Sequence, residues 1–396
     1  MQKIKKKFLF LVSFLLISFV FLIFSERHFL IRYYKYNGDP LTNPISWFDP
    51  TEIVRGDADD NIPIVSENNL TISMSILDEV SSYAESQSSH ALIIIHKGII
   101  QLEKYWEGAD RSKLFNPQSM SKTILGALMG IAISEGYIQS VDDNIGLYIE
   151  EWRNDPRGEI TIRQALEMSA GLEQMSTSYE LSIFNRAVRH HFGNKFDSMT
   201  LDLKQIDPPG SKYEYNNEET NLLGILIERA TGFRYVDYLS LKLWHPLELA
   251  DAQMYLDREG GSVMKSCCIL SRPYDWAKIG QLFLNNGMYE GEYIIQPDWI
   301  NQMVEPSKNS NFYGLQVWLG SSYIPAKNNM VGVYDKDSNP PLYLDDEMII
   351  FVGHGGQRVW ISRLHNLVIV NATKKWSNAW VEAKIPNTII NSFLKE

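Results

Sequence analysis

The chain has 396 residues, 44% of them hydrophobic and 21% charged, which is ample for a sizeable core and ordinary for a globular protein. Net charge is −11 at pH 7, yet the first 40 residues hold seven Lys/Arg against two acidic residues, leaving 30 basic against 46 acidic in the remainder. Such a body offers no basic face to a phosphate backbone and argues against nucleic acid as a partner.

The chain opens with Lys3, Lys5, Lys6 and Lys7, followed by a run from Phe8 to Phe24 that is apolar except for Ser13 and Ser18. That length suits a membrane anchor or a long signal core. No small-x-small cleavage pair follows, which favours an uncleaved anchor over residues 1–30, with secretion after cleavage as the alternative. The lysines would stay cytoplasmic and the body would be exported to a periplasmic or extracellular space, although Arg27, Arg32 and Lys35 oppose that orientation. Residues 31–74, with Pro40, Pro44, Pro50 and Pro63, read as a linker that wraps the domain.

Apolar positions at Ile76, Leu77, Val80, Tyr83 and Ala84 predict a helix. Two apolar runs, 91–96 and 99–105, flank Lys97-Gly98 as a β-hairpin. From Ile138 to about Asp257 no strand is expected, and 161–168 and 219–230 read as helices, the second closed by Gly232. Residues 272–285 form another amphipathic helix. Three strand-like runs follow at 347–352, 359–362 and 367–371, and a helix over about 378–393 ends the chain. Strands at both ends with helices between predict an α+β fold. One antiparallel sheet would be assembled from the two chain ends and flanked by helices, with a helical subdomain over roughly 138–260 inserted into a domain of 75–396.

Several side features take structural readings. Gly126 and Gly130 lie in an apolar helix too short to span a bilayer and are expected to let it pack closely on the sheet. Cys267 and Cys268 are the only cysteines. A ring closed between neighbours is strained, so both are expected as small core residues. His190 and His191 are expected as solvent-exposed loop histidines, since adjacent side chains diverge and no metal-ligand spacing surrounds them. Asn69 and Asn371 head sequons that matter only in a host that glycosylates exported proteins.

The chemistry centres on Asn116-Pro-Gln-Ser-Met-Ser-Lys-Thr123, a turn feeding a helix. Ser119 and Lys122 share a face at i and i+3, so an amine stands ready to take a hydroxyl proton. The helix N-terminus adds a positive field where an oxyanion would form. Ser-x-x-Lys also occurs at Ser262/Lys265 and Ser392/Lys395, so the pattern alone is weak. Tyr215-Asn216-Asn217 supplies a phenol that can relay a proton to a leaving group beside a cation. Asn217 would bind substrate or orient Lys122. His354-Gly355-Gly356-Gln357 lies between two closing strands, where glycines admit a substrate backbone and the Gln357 N–H can pair with the Ser119 N–H as oxyanion donor.

Ser-x-x-Lys at 119, Tyr-x-Asn at 215 and His-Gly-Gly at 354, in that order, resemble class C β-lactamases and their penicillin-binding-protein-like relatives. Flanking text agrees: Thr161 to Leu172, YNNEETNLLGILIERATG from Tyr215 to Gly232, LWHPLEL from Leu243 to Leu249, and SRPYDWAKIGQLFLNNG from Ser271 to Gly287. The resemblance spans roughly 75–395 and implies a β-lactamase/transpeptidase-like α/β sandwich. It also implies a serine hydrolase in which Ser119 forms an acyl-enzyme and either Lys122 or Tyr215 is the base, with neither metal nor organic cofactor. Histidine stands at 354 where the family's β-lactamases usually carry lysine, and a neutral histidine is a weaker carboxylate anchor. That departure is similar to the family's esterases and 6-aminohexanoate-dimer hydrolases and points to a small ester or simple amide. Arg358 is a substitute anion anchor, which keeps a D-alanyl-D-alanine peptidase or a β-lactamase as the alternative. A catalytically silent wall- or partner-binding protein of the same fold is the third reading. The oligomeric state has no signature in the sequence.

Overall fold

A computed structural model describes residues 2–175, 180–320, 343–375 and 377–394, without the side chains of 2–5, 19, 22 and 23. Its helices are α1 (Gln2–Ser25), α2 (Arg27–Lys35), α3 (Met74–Ser86), α4 (Ser121–Ser134), α5 (Ile162–Leu166), α6 (Arg186–His191), α7 (Phe196–Leu201), α8 (Asn217–Thr231), α9 (Tyr235–Leu239), α10 (Pro273–Leu284), α11 (Pro297–Met303) and α12 (Lys384–Phe393). The strands are β1 (Thr51–Val54), β2 (Ser89–His96), β3 (Ile99–Tyr105), β4 (Ala252–Tyr255), β5 (Met288–Tyr289), β6 (Glu292–Tyr293), β7 (Trp318–Leu319), β8 (Ile349–Gly353), β9 (Gln357–Ser362) and β10 (Leu367–Thr373).

Six strands make one antiparallel sheet in the order β3-β2-β10-β9-β8-β7, so strands from early and late in the chain meet at the β2–β10 pair. Side-chain alternation divides this sheet between two cores. Ile93, Ile95, Val359, Ile361, Val368 and Val370 join residues of α4, α8 and α10 on one face. Leu92, Ile94, Trp360, Leu367 and Ile369 join α3 and α12 on the other. Each such aliphatic side chain removed from water contributes about 1.5–3 kcal/mol before the entropy of ordering it is counted. The fold is the expected α+β sandwich with helices on both faces of one antiparallel sheet.

The predicted hairpin forms with both turn residues at positive φ, Lys97 at 53° and Gly98 at 77°, the twist that suits two antiparallel strands. The helix predicted over 219–230 runs Asn217–Thr231 and ends at Gly232 in a left-handed cap. In the final helix, regular structure starts at Lys384 rather than 378. A pair of strands was not anticipated. β4 falls in the stretch expected to lack strands, and it pairs with β1, inside the segment read as a linker. Four residues each, with β1 largely half-buried and β4 mostly buried, are too short to display a period of two.

The glycines of α4 are corrected in their partner. A Cβ on Gly130 would lie 2.0 Å from Trp299, and one on Gly126 would lie 2.9 Å from the Leu315 carbonyl. Their small face therefore receives α11 and the segment after it, and Trp299 donates to the Gly126 carbonyl at 2.9 Å. The helix that approaches the sheet through a glycine is α10, where a Cβ on Gly280 would meet Val368 at 2.5 Å.

Residues 26–50 are bound to the body. Arg32 is fully buried and donates to the carbonyls of Phe48, Asp49, Phe192 and Leu256 at 2.8–3.2 Å. Around it Phe29, Trp47 and Phe48 pack on Phe192, Phe196 and Tyr255. Ahead of this segment, Phe8, Phe10, Phe14, Ile17, Phe21 and Phe24 of α1 are exposed. Among the described residues no helix is long and apolar enough to cross a membrane.

Candidate active site

From Phe115 to Ala132 every residue is buried except Ser119. The turn that presents it is held at both sides. Asn116 Oδ1 accepts the Gln118 N–H at 2.9 Å, and the Gln118 carbonyl accepts the Cys268 N–H at 3.3 Å. Gln118 takes a φ of +53°, a left-handed conformation that costs a glutamine on the order of 1–3 kcal/mol and persists because its neighbours fix it. A single 3-10 turn, Gln118–Met120, then passes into α4. Ser119 thus stands at the helix N-terminal end, as the spacing predicts.

Lys122 is 2% exposed. Its Nζ lies 3.0 Å from Ser119 Oγ and donates to the Ser266 carbonyl at 2.7 Å. Burial pushes the ammonium down to about 7, opposed by the carboxylate of Glu218. Burial likewise raises Glu218 to about 7, opposed in part by Lys122. Near neutral pH a substantial fraction of Lys122 is therefore the free amine. With one N–H on Ser266, that amine's lone pair is available to the Ser119 hydroxyl.

The ring of Tyr215 sits 5.3 Å from Lys122 Nζ, centroid to nitrogen. Trp318 and Tyr313 pack on that ring. Its loop is tied to the Met168 segment: the Glu214 N–H donates to the Met168 carbonyl at 2.8 Å, and Gln174 Nε2 donates to the Tyr215 carbonyl at 2.9 Å.

The third expected element closes on the first. A Cβ on Gly353 would lie 2.1 Å from the Pro117 carbonyl, 2.9 Å from Gln357 Cβ and 3.2 Å from Gln118 Cβ. The end of β8 therefore lies directly against the turn that carries Ser119, with Gln357 at its side. Gly355 and Gly356 take φ of 78° and 88°, and a Cβ on Gly355 would meet Leu41 at 1.9 Å. Carbonyls of this turn are clamped in sequence: Gly353 by Arg358 at 2.6 Å, Gly355 by Thr373, and Gly356 by Asn371 at 2.9 Å. Burial lowers the His354 imidazole below its usual value, opposed by Asp39 and reinforced by Arg358, so it is neutral at pH 7.

A model of the Beta-lactamase family matches residues 82–267. The 6-aminohexanoate-dimer hydrolase of Paenarthrobacter ureafaciens is 23% identical over 238 residues, 58% of this chain and 60% of that protein. Protein flp of Staphylococcus aureus is 24% identical over 173 residues, 40% of this chain and 33% of that protein. The chain thus spans less than two thirds of either relative. A solved structure from Bacillus anthracis, provisionally assigned as a 6-aminohexanoate-dimer hydrolase, aligns with a TM-score of 0.68 at 20% identity, covering 89% of this chain and 92% of its own. A penicillin binding protein from Bacillus halodurans aligns at 0.58 and 13% identity, covering 81% and 100%. Both likenesses show the β-lactamase/transpeptidase-like fold.

Over residues 82–267 the chain carries the sequence pattern of the Beta-lactamase family and resembles its serine hydrolases. The family match contains Ser119, Lys122 and Tyr215 and ends before His354, so for this β-lactamase-related chain the third element rests on its geometry. The other Ser-x-x-Lys matches have different surroundings. Lys265 is fully buried between Asp197 (2.9 Å) and Glu228 (3.2 Å), and Ser262 donates to the same Asp197 at 2.6 Å. These contacts make an ion-pair network. Ser392 donates to the Ile389 carbonyl at 2.6 Å, and Lys395 lies outside the described residues.

Four expectations change. Arg358 is buried and bidentate on Glu382, with Nη1 on the Gly353 and Gln357 carbonyls, so four of its five N–H groups are spent on fixing the turn rather than on a substrate anion. Asn217 is exposed on the first turn of α8, while its neighbour Asn216 is buried and caps that helix through Glu218 N–H. The group that orients Lys122 is the Ser266 carbonyl. His190 is 3% exposed and bonds Asn221 at 3.1 Å, and His191 is lowered to about 4 by burial, with Lys122 and His354 adding to the effect. His190 belongs to the protein interior, and His191 is half-buried near the site, so neither is a solvent-exposed loop histidine. Finally, Cys267 and Cys268 are joined as a disulfide, with Cys268 at φ +73° turning the backbone to allow it. Of the site residues not anticipated, Glu218 had a sequence signal: it is one of two carboxylates in the first turn of the helix that follows the tyrosine loop. The Ser266 carbonyl had none, since a backbone acceptor leaves no trace in residue type.

Proposed function

We propose that this chain is a serine hydrolase that cleaves an ester or simple amide through an acyl-enzyme on Ser119. The observation that carries the reading is the Lys122 amine, buried and 3.0 Å from the one accessible residue of an otherwise buried stretch. Neutral Lys122 takes the Ser119 proton as Oγ attacks the carbonyl carbon. The oxyanion is received by the backbone N–H groups of Ser119 and Gln357 at the helix start and strand end. Tyr215, close to the new ammonium, passes a proton to the leaving oxygen or nitrogen. Water then attacks the acyl carbon, and Ser119 leaves with a proton returned through the same groups.

A neutral His354 and an engaged Arg358 favour a substrate without a carboxylate beside the scissile bond. The named activity of the Paenarthrobacter relative, on a 6-aminohexanoate dimer, supports a linear amide. The test is covalent labelling with a fluorophosphonate, read by mass spectrometry, together with turnover of short-chain nitrophenyl esters. Labelling at Ser119 that vanishes in Ser119→Ala is expected. A folded chain that takes no label would overturn the reading, and stable labelling by penicillin without ester turnover would replace it with the peptidase.

The same proposal places the body at a membrane through α1, supported by its row of exposed aromatic and aliphatic side chains behind a lysine cluster. The full chain is expected to float with anionic vesicles and Leu15→Asp/Ile17→Asp to remain unbound. Equal behaviour of the two would remove the anchor.

A further inference from the structure

The Cys267–Cys268 disulfide has no part in the chemistry above, yet its neighbours reach both members of the nucleophilic pair. Residues 265–269 run beside the turn that carries Ser119 and are bonded to it three times. The Ser266 carbonyl accepts Lys122 Nζ at 2.7 Å, the Cys268 N–H donates to the Gln118 carbonyl at 3.3 Å, and the Ile269 N–H donates to Ser121 Oγ at 3.1 Å. On the other side, Asn221 Oδ1 accepts the N–H groups of Lys265 and Ser266 at 2.9 and 3.1 Å, fixing the strip to α8. Both cysteines are buried, at 6% and 1%, behind the pair and against Phe48, Tyr255 and Met264.

A bond between adjacent Sγ atoms closes a small ring that includes the intervening peptide, so the torsions on either side of that peptide are no longer free. One of them is the φ of +73° at Cys268, a left-handed conformation that a residue with a side chain rarely adopts unaided. Two thiols would leave this torsion free to relax toward ordinary values. The Ser266 carbonyl and the Cys268 N–H flank the ring, and relaxation would move both.

We propose that the Cys267–Cys268 disulfide is a positioning element for catalysis: ring closure holds residues 266–268 on the backbone path that aims the Ser266 carbonyl at Lys122 and the Cys268 N–H at Gln118. The proposal rests on Ser119 being the nucleophile. It differs from simple bracing of the core in what it does to Lys122. A carbonyl acceptor favours the ammonium, so withdrawing it lowers the pH at which the amine is freed and also leaves the amine badly aimed.

The experiment is the rate of Ser119 labelling by a fluorophosphonate across pH, normalised to folded protein, in the wild type and in Cys267→Ser and Cys268→Ser, each of which removes the disulfide. The plateau rate is expected to fall roughly ten- to a hundredfold, as misplacement by about an ångström does. Its acid limb is expected to move to lower pH. A water-soluble phosphine with water, which converts the disulfide to two thiols and itself to the phosphine oxide, should reproduce the change in the wild type. Reoxidation should reverse it, and this arm stands even where a serine variant fails to fold. Unchanged plateau and limb in a chain shown by mass to hold no disulfide would overturn the positioning role alone. A limb that rises toward an ordinary lysine with the plateau intact would overturn it too, in favour of general loosening. Absence of labelling at Ser119 in the oxidised wild type would remove both readings.

Discussion

Lys122 is held by two contacts of unlike character, a hydroxyl it can deprotonate and a carbonyl that only accepts. Burial disfavours its charged form, and the nearby Glu218 restores only part of the loss. On the proposed mechanism the active form is the neutral amine, so reactivity of Ser119 is expected to be high above about 7 and to fall as pH drops through that value. The expected profile of labelling rate against pH is a single acid limb near neutrality, well below the range of a solvated lysine. Lys122→Arg, which keeps charge and bulk but cannot release a proton at these pH values, should lose on the order of 10²–10⁴ in rate with no return at higher pH. A profile that stays flat from pH 5 to 9 would show that Lys122 is not the proton acceptor.

At the scale of elements, the turn between β8 and β9 is built from three clamped carbonyls, and Arg358 holds the first of them while pairing with buried Glu382. Replacing it by leucine leaves a carboxylate at 4% exposure without its cation, which costs about 3–5 kcal/mol. Arg358→Leu should therefore melt several degrees below the wild type. The double variant Arg358→Leu/Glu382→Leu should recover much of the loss, because two apolar groups need no partner; equal melting of the two variants would contradict this account. These elements also show what could be read from sequence. The helix α3 was legible because one face is buried in a repeating way, and β8 to β10 because strands buried on both faces read as continuous apolar runs. β1 and β4 were illegible because four-residue strands carry no period, and the partner of Gly126 and Gly130 was illegible because a glycine records that something is close but not what. The closeness of Ser119, Lys122 and Tyr215 was legible because a hydroxyl, an amine and a phenol in this order and spacing seldom coincide by chance. Ser266 was not, because it acts through its backbone, and the true positions of His190 and His191 depended on a loop path that residue types do not encode.

At the scale of the molecule, residues 26–50 act as a strap secured by one buried guanidinium. Arg32 satisfies four carbonyls from three separate stretches of chain. Arg32→Ala would strand those acceptors in the interior at about 1–3 kcal/mol for each that finds no water. The variant should lose stability and become sensitive to limited proteolysis within 26–50, while the β2–β10 sheet keeps its slow hydrogen exchange; resistance equal to the wild type would contradict the role of Arg32. The strap also reaches the site, for Leu41 lies on Gly355. The contact of Gly353 with Pro117 and Gln118 joins stretches made at very different times on the ribosome. A nascent chain that has already displayed its nucleophile still lacks the wall facing it until β8 and β9 have emerged and docked. On the proposed function, the chain would therefore leave the ribosome with Ser119 made but its facing wall still to come, and would gain reactivity only once β9 is in place.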